Sequence, residues 1–369
     1  MKLLRITLMN KNHPVIDFDY NQSTGIIEKI YEVNKYAPLG IKNKEDLQEW
    51  LENRSVPYQR LKNALNIDYG QYDKFITSMI KRTHGFNLSD QYFFKLQDEQ
   101  ISWHEKNLFT NDFEESKLKS VFSNPKKHIS PSSSTNGNLS KVWKQENNLR
   151  YLYKGSSSIA QEPYNELIAT KLYERVLKSS EYVSYELTFI QGKPYSKCTC
   201  FIDEFTEFVP ALHIIKVLSK DNRKTNYQHF LDCTEYLKIK GAKDFMNKML
   251  TCDYILGNSD RHYNNFGAIR DVRTLKFISM APIFDTGNSL GILKQDETEL
   301  TTYPFYKDPE KQLSLVDDFS WLDISKLEGF INEAKEILTL NKNISEYYIS
   351  HSIEEMEKRI EYLKRKIAK

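Results

Sequence analysis

The stretch that most constrains this chain is "ILGNSDRHYNNFGAIRDVRTLKFISMAPIFDTGNSLG", residues 255–291. It holds Asp260, Asn265 five residues on, and Asp285 before a Thr-Gly pair, spread across the spacing of a β-hairpin. These polar residues are interleaved with Ile255, Leu256, Phe266, Ile278, Ile283 and Phe284, side chains that favour burial. A surface segment has no reason to mix the two kinds so closely. The pattern predicts polar groups held at a fixed site beside a core.

The rest of the chain is long enough to support such a site. At 369 residues it exceeds one average domain, so two or three units are expected, each with its own core. Charged residues make up 28% and apolar residues 40%, with only 13 Gly and 11 Pro, which excludes collagen-like and most disordered classes. The 52 basic and 50 acidic residues leave a formal charge of +2, too small for a global field toward nucleic acid or anionic lipid. No direct nucleic-acid partner and no membrane partner are therefore expected. The cysteines at 198, 200, 233 and 252 lack zinc-site spacing and read as reduced buried thiols. The opening "MKLLRITLMNKNHP" is broken by Arg5, Asn10 and Lys11 too early for a signal-peptide core, and no run approaches a membrane span, so a cytoplasmic compartment is expected.

Three regions follow from the periodicities. Residues 1–118 read as an N-terminal α/β region, with Leu3, Ile6 and Leu8 near one face of an opening strand and helices in "NKEDLQEWLENR" and "YGQYDKFITSMIKRT". Residues 119–212 read as a small β-rich lobe: a hairpin from "LSKVWK" and "LRYLYKG" around "QENN", a helix in "QEPYNELIATKLYERVLKSS" with Pro163 in its first turn, and two strands around Gly192. Residues 213–369 are mainly helical, with "GAKDFMNKMLTCDYIL" and "DISKLEGFINEAKEILTL" each read as a helix. The tail "SIEEMEKRIEYLKRKIAK" carries a Ser352/Glu355 capping-box pattern and the apolar stripe of an amphipathic helix.

Phosphoryl transfer from a nucleotide needs a loop over the phosphates, a Lys on them, oxygen ligands for magnesium and a carboxylate near the accepting hydroxyl. Each has a candidate here. "SPSSSTNGN" is a small-residue loop whose backbone N–H groups can approach an anion. Lys154 ends the next strand, and Glu166 lies on the next helix, where it can orient the ammonium, although Glu162 is close by. Asp260 sits in a loop after a helix, placed to accept a hydroxyl proton, while Asn265 and Asp285 offer the hard oxygens that magnesium prefers. Taken singly, Asp260 also reads as a turn residue and Lys154 as a strand-end surface lysine. Arg261 and His262 read equally well as substrate contacts and as donors shaping the loop, and Asp253 as structural.

These residues resemble the HipA-like serine/threonine kinases. The sharpest matches are "GNSDRHYNNFG" and "APIFDTGNSLG", supported by "YLYKGSSSIAQEPYNELIATKL" and, upstream, by "LSDQYFFK" and "WHEKNLFTNDFEE". The resemblance implies an α+β, two-lobed protein-kinase-like fold, with a small β-rich lobe, a larger helical lobe and an N-terminal α/β region. It implies a kinase that uses ATP and Mg2+ on a protein with a Ser or Thr acceptor. Asp260 would be the catalytic base, Asn265 and Asp285 the magnesium ligands, Lys154 the phosphate-binding lysine and Glu166 its helix partner. Ser132, Ser133, Ser134, Thr135, Asn136 and Gly137 would cover the phosphates, with a hinge near Phe201 to Phe205. That loop has one glycine where the best-known members have more, and its serines are candidates for autophosphorylation. Some members pair with a small DNA-binding antitoxin, so a small antitoxin or regulator is among the partners implied. A phosphatidylinositol-type lipid kinase shares the D-R-H-x-x-N pattern, and a pseudokinase acting as a binding module is the alternative outside catalysis.

Overall fold

The computed structural model describes residues 3–57, 76–113, 139–291 and 303–368. Its residues fall into two compact units. One comprises Met1–Tyr153, Ile202–Phe208 and Arg270–Lys276; the other comprises Lys154–Phe201, Val209–Ile269 and Phe277–Lys369.

The first unit is built on an antiparallel sheet of β1 (Leu3–Asn10), β2 (His13–Asn21), β3 (Ile26–Val33) and β4 (Tyr92–Leu96), in the order β3-β2-β1-β4. Period-two alternation puts Ile6 and Leu8 on the buried face and leaves Leu3, of opposite parity, 43% exposed. Against that face packs α1 (Lys44–Arg54), started by a capping box between Asn43 and Asp46, with Leu47, Trp50 and Leu51 turned inward. The expected second helix lies largely outside the described residues; its end is a π-helical turn, Met79–Thr83, stopped by His84 and Gly85 in left-handed conformation. Arg54 closes this unit from within, donating to both carboxylate oxygens of Asp90 and to the Tyr92 carbonyl. The hairpin of β5 (Lys141–Glu146) and β6 (Leu149–Lys154) turns on Asn147 and Asn148, both at positive φ, which is the geometry a two-residue turn needs to match strand twist.

The second unit carries most of the helices, and the strands Thr206–Pro210 and Gly267–Asp271 each have residues in both units. α2 (Glu162–Val176) starts with Pro163 in its first turn and buries Ile168, Leu172 and Tyr173. The hairpin of β7 (Glu186–Ile190) and β8 (Lys193–Thr199) turns at Gln191 and Gly192, both left-handed. After β9 (Thr206–Pro210) come α3 (Asn226–Tyr236), with a capping box between Thr225 and Gln228, and α4 (Ala242–Leu256), in which twelve of fifteen residues are buried. Such burial makes α4 the central helix of its unit. β10 (Gly267–Asp271) and β11 (Phe277–Met280) form the hairpin that the 255–291 spacing predicts. Ile278 on β11 is 54% exposed, whereas Ile255, Leu256, Phe266 and Ile283 are buried as expected.

Two corrections concern the C-terminal helices. "DISKLEGFINEAKEILTL" is not continuous: a short 3-10 turn, Ile324–Leu327, precedes Gly329 at φ 76, and α5 runs only over Phe330–Thr339. The last helix, α6 (Glu346–Ile367), begins at Ser345, whose hydroxyl accepts from the Tyr348 N–H, so Ser352 lies inside it and not at a cap. Ile353, Met356, Ile360 and Leu363 are buried, as an amphipathic helix packed on its own unit requires. All four cysteines are free thiols, with Cys198, Cys233 and Cys252 buried. No helix among the described residues is long and apolar enough to cross a membrane.

The end of α4 sets the loop that follows. Gly257 sits there at φ 61, and its N–H donates to the Asp253 and Tyr254 carbonyls. A Cβ at this position would be strained by the backbone and would meet the Arg359 guanidinium at 2.1 Å. Gly257→Ala is expected to lower stability by about 1–2 kcal/mol, measured as a lower urea midpoint with an unchanged slope.

Candidate active site

Lys154, Glu166 and Asp285, 131 residues apart at the extremes, meet in the second unit. The Lys154 ammonium donates to Glu166 Oε1 and to Asp285 Oδ1, each at 2.5 Å. The lysine side chain is 5% exposed, Glu166 1% and Asp285 30%, so the triad opens to solvent on the aspartate side. Burial pulls the Lys154 pKa down, but Asp285 and Glu166 outweigh it and hold the ammonium above its ordinary value. Burial likewise raises Glu166, opposed by the Lys154 ammonium. The Tyr185 ring lies 5.4 Å from the ammonium and closes it off from the side of β7.

The segment from Ile283 to Leu290 is held residue by residue. Ile283 pairs with the chain at Glu181 and Val183 through two backbone hydrogen bonds of 2.8 and 2.9 Å. Asp285 is left-handed at φ 59, and its N–H donates to the Tyr185 hydroxyl at 3.3 Å. The Thr286 N–H donates to Glu166 Oε2 at 3.0 Å, so both oxygens of that carboxylate are used. Asn165, one residue earlier on α2, donates to the carbonyls of Gly287 and Ser289 at 2.8 and 2.9 Å. A Cβ on Gly287 would stand 3.2 Å from Glu162 Cβ, so glycine permits this approach of helix and loop. Together these contacts fasten the start of α2 to the backbone around Asp285.

The loop after α4 is organised by Arg261, which is fully buried. Its Nε and Nη2 take both oxygens of Asp253 at 2.8 and 2.9 Å, and its Nη1 donates to the carbonyls of Asn265 and Phe284. Burial works against the guanidinium, but Asp253 holds its pKa above the ordinary value. Asn258 donates to the same Asp253 carboxylate at 2.8 Å. One side chain therefore indexes Asn265 against the residue before Asp285. Asn265 donates its amide N–H to the Asp260 carbonyl at 2.9 Å, which leaves its amide oxygen as the acceptor, and Asn288 donates to Asp260 Oδ2 at 2.7 Å.

The structure thus gathers Lys154, Glu166 and Asp285 into one triad, and joins Asp260 and Asn265 in one loop that Arg261 ties to the Asp285 segment. Of the two glutamates in the first turns of α2, Glu166 meets the lysine, whereas Glu162 accepts the Ser157 N–H at 3.1 Å. Arg261 is a shaping donor with no exposed surface, and Asp253 is its anchor. His262 is 41% exposed, with Nε2 4.0 Å from Asp260 Oδ1. Phe201, 38% exposed, packs its ring 5.5 Å from that of Phe284, next to Asp285. Ser132, Ser133, Ser134, Thr135, Asn136 and Gly137 lie outside the described residues. Asn165, Tyr185 and Asn288 are not singled out by the sequence motifs. For Asn165 and Asn288 the available signal was an amide directly beside a predicted site residue or glycine.

The donor set suits a magnesium ion. Asp285 offers a partly exposed carboxylate and Asn265 a neutral amide oxygen, both hard ligands, while no thiol or imidazole competes within the triad. These two residues would hold the ion, which when bound supplies positive charge against phosphate oxygens.

No family model matches the chain. Among curated proteins it is similar to the serine/threonine-protein kinase CtkA of Helicobacter pylori, 32% identical over 90 residues, which is 24% of this chain and 27% of that relative. The chain therefore matches about a quarter of the relative's length. Among solved structures it is similar to the Helicobacter pylori proinflammatory kinase CtkA, at 21% identity over 59% of this chain and 89% of that one, with a TM-score of 0.45. The toxin-antitoxin protein HipA of Shewanella oneidensis, solved with HipB and operator DNA, superposes with a TM-score of 0.57 over 97% of both chains at 13% identity. The mixed α/β fold of this chain is HipA-like over nearly its whole length, as the motifs predict.

The buried Arg261–Asp253 pair generates a test. Arg261→Met leaves the Asp253 carboxylate buried and uncompensated, so stability should fall by about 3–5 kcal/mol in urea unfolding. Arg261→Lys should recover little of this, because one ammonium cannot span a bidentate carboxylate and two carbonyls.

Proposed function

We propose that this chain is an ATP- and Mg2+-dependent serine/threonine protein kinase of HipA-like type. The observation that carries the reading is the buried Lys154 ammonium held between Glu166 and a partly exposed Asp285. A buried lysine paired with one buried and one partly exposed carboxylate fits the Lys–Glu pair and metal-binding Asp of kinase-type phosphoryl transfer. In this reading Lys154 would bind phosphate oxygens with Glu166 keeping its orientation, and Asp285 with Asn265 would hold the magnesium ion. Asp260 would accept the proton of the attacking hydroxyl, and Ser132 to Gly137, outside the described residues, are assigned to the phosphates on sequence grounds alone. The similarity to the kinase CtkA and the HipA-like fold support the same reaction class. A cytoplasmic location, the division at residues 118 and 212, and a small antitoxin or regulator belong to the proposal. The HipA structure with HipB supports the last of these.

Transfer of radiolabel from ATP to protein, set beside lipid vesicles containing phosphatidylinositol, tests the class of acceptor. Labelled Ser or Thr on protein is expected, and label on lipid alone would overturn the reading. Asp260→Asn should slow transfer by about 10²- to 10⁴-fold with ATP binding largely intact. Asp285→Ala should also weaken the magnesium-dependent part of ATP binding, which calorimetry with and without the metal resolves.

Autophosphorylation is the finer part of the proposal. A phosphate on one of Ser132 to Ser134 would add about two negative charges beside the triphosphate site and lower ATP affinity. Incubation with ATP and magnesium should add phosphate to that loop in the unsubstituted chain and not in Asp260→Asn. Peptide mapping by mass spectrometry that finds the loop unmodified, while other targets are labelled, would remove autoregulation from the proposal and leave the kinase.

A further inference from the structure

The segment after Asp285 does more than carry that residue. The Ser259 N–H and hydroxyl both donate to the Asn288 carbonyl, at 3.0 and 3.2 Å, and the Leu290 N–H donates to the Leu256 carbonyl at 3.0 Å. Residues 288–290 are thus zipped along residues 256–259, immediately before Asp260. From this fixed backbone the Asn288 side chain reaches Asp260 Oδ2 at 2.7 Å. The chemistry sets the amide's orientation: nitrogen toward the carboxylate is a charge-assisted bond, whereas oxygen toward it would be a repulsion. Asp260's own N–H is taken by Asn258 Oδ1 at 3.2 Å, and its carbonyl by Asn265, so the residue is held at its backbone on both sides. Neither contact restrains rotation of the carboxylate. The Asn288 amide, by contrast, bonds the carboxylate itself, at Oδ2.

We propose that Asn288 is a positioning residue: its amide fixes the rotation of the Asp260 carboxylate and so sets the approach of the acceptor hydroxyl. This rests on the reading of Asp260 as the phosphoryl-transfer base. A carboxylate free to turn presents its lone pair to the hydroxyl for only part of the time, and small misplacements of a reacting group cost rate steeply. The same loop holds Asp285 and Asn288 three residues apart, one on the triad and one on the base. The distance between the two ends of the transfer is thereby set by a single short span of backbone.

The experiment compares Asn288→Ala and the isosteric Asn288→Asp with the unsubstituted chain, alone and combined with Asp260→Asn. Asn288→Ala keeps the backbone carbonyl that Ser259 uses, so its melting temperature and ATP affinity should stay close to those of the unsubstituted chain. Its kcat should fall by about 10- to 100-fold. Asn288→Asp, equal in shape but repelling Asp260, should fall further than Asn288→Ala. In the Asp260→Asn background Asn288→Ala should cost nothing more, because a residue acting through the base has no effect once the base is gone. Additive losses in the double variant, a rise in KM with kcat unchanged, or an Asn288→Ala enzyme as fast as the unsubstituted chain would overturn the role of Asn288. Absence of transfer by the unsubstituted chain would instead overturn the kinase reading on which it rests.

Discussion

A lysine ammonium taken out of water is the constraint around which the second unit is arranged. Lys154 is 5% exposed, and an ion so buried is tolerated only with opposite charge and full hydrogen bonding at hand. One carboxylate would neutralise it; the structure supplies two, at equal distance. With both carboxylates ionised the triad holds one negative charge in excess, and the member facing solvent is Asp285. Excess negative charge with an open side attracts a cation, and the ammonium beneath it offers a second partner to whatever anion accompanies that cation. A metal-bound polyphosphate meets both demands together.

Burial at this depth requires α2 to stand where it does, and the contacts around Glu166 show how that is achieved. Glu166 uses one oxygen on Lys154 and the other on the Thr286 N–H, while Asn165 takes the carbonyls of Gly287 and Ser289. Gln161 in turn donates to Asn165 Oδ1 at 3.2 Å, and Asn341 takes the Ile159 carbonyl at 3.2 Å just before the helix. Moving α2 outward would break the ion pair and strip hydrogen bonds from buried backbone groups at the same time. Each such loss costs about 1–3 kcal/mol. The helix is thus fixed in the position that completes the triad.

The parts legible in the sequence were those whose physics is local or strongly periodic. The β5–β6 turn, Pro163 at the start of α2, the Gly192 turn and the β10–β11 hairpin all follow from residue types at fixed offsets. The HipA-like fold was legible through the motifs around Asp260 and Asp285, and the structural similarity bears it out. The choice of Glu166 over Glu162 was not decidable from spacing, because both lie on the buried stretch of α2; only the position of Lys154 across the fold separates them. Arg261 was ambiguous for the same reason. An arginine beside a site residue reads as a substrate contact until its partners, Asp253 behind it and Phe284 from 23 residues on, are known. The C-terminal helices misled locally: Gly329 interrupts an otherwise helical pattern, and Ser352 mimics a cap while its hydroxyl reaches the Leu290 carbonyl.

The four residues Asp285-Thr286-Gly287-Asn288 each bind a different part of the site. The left-handed backbone at Asp285 turns its carboxylate to the ammonium and its N–H to Tyr185, a conformation that costs a non-glycine residue about 1–2 kcal/mol. Thr286 pairs its N–H with Glu166 and its hydroxyl with Tyr173 at 3.0 Å, so it is fully buried without an unmet polar group. Gly287 admits α2 to within contact of the backbone, and Asn288 reaches the carboxylate of Asp260. Successive residues thus face the lysine, the helix carrying its partner, and the loop carrying Asp260. Because the strain at Asp285 is offset by the bonds its neighbours make, loosening any one contact also weakens the others, and the strained aspartate keeps its orientation only while the helix and the Asp260 loop are both in place.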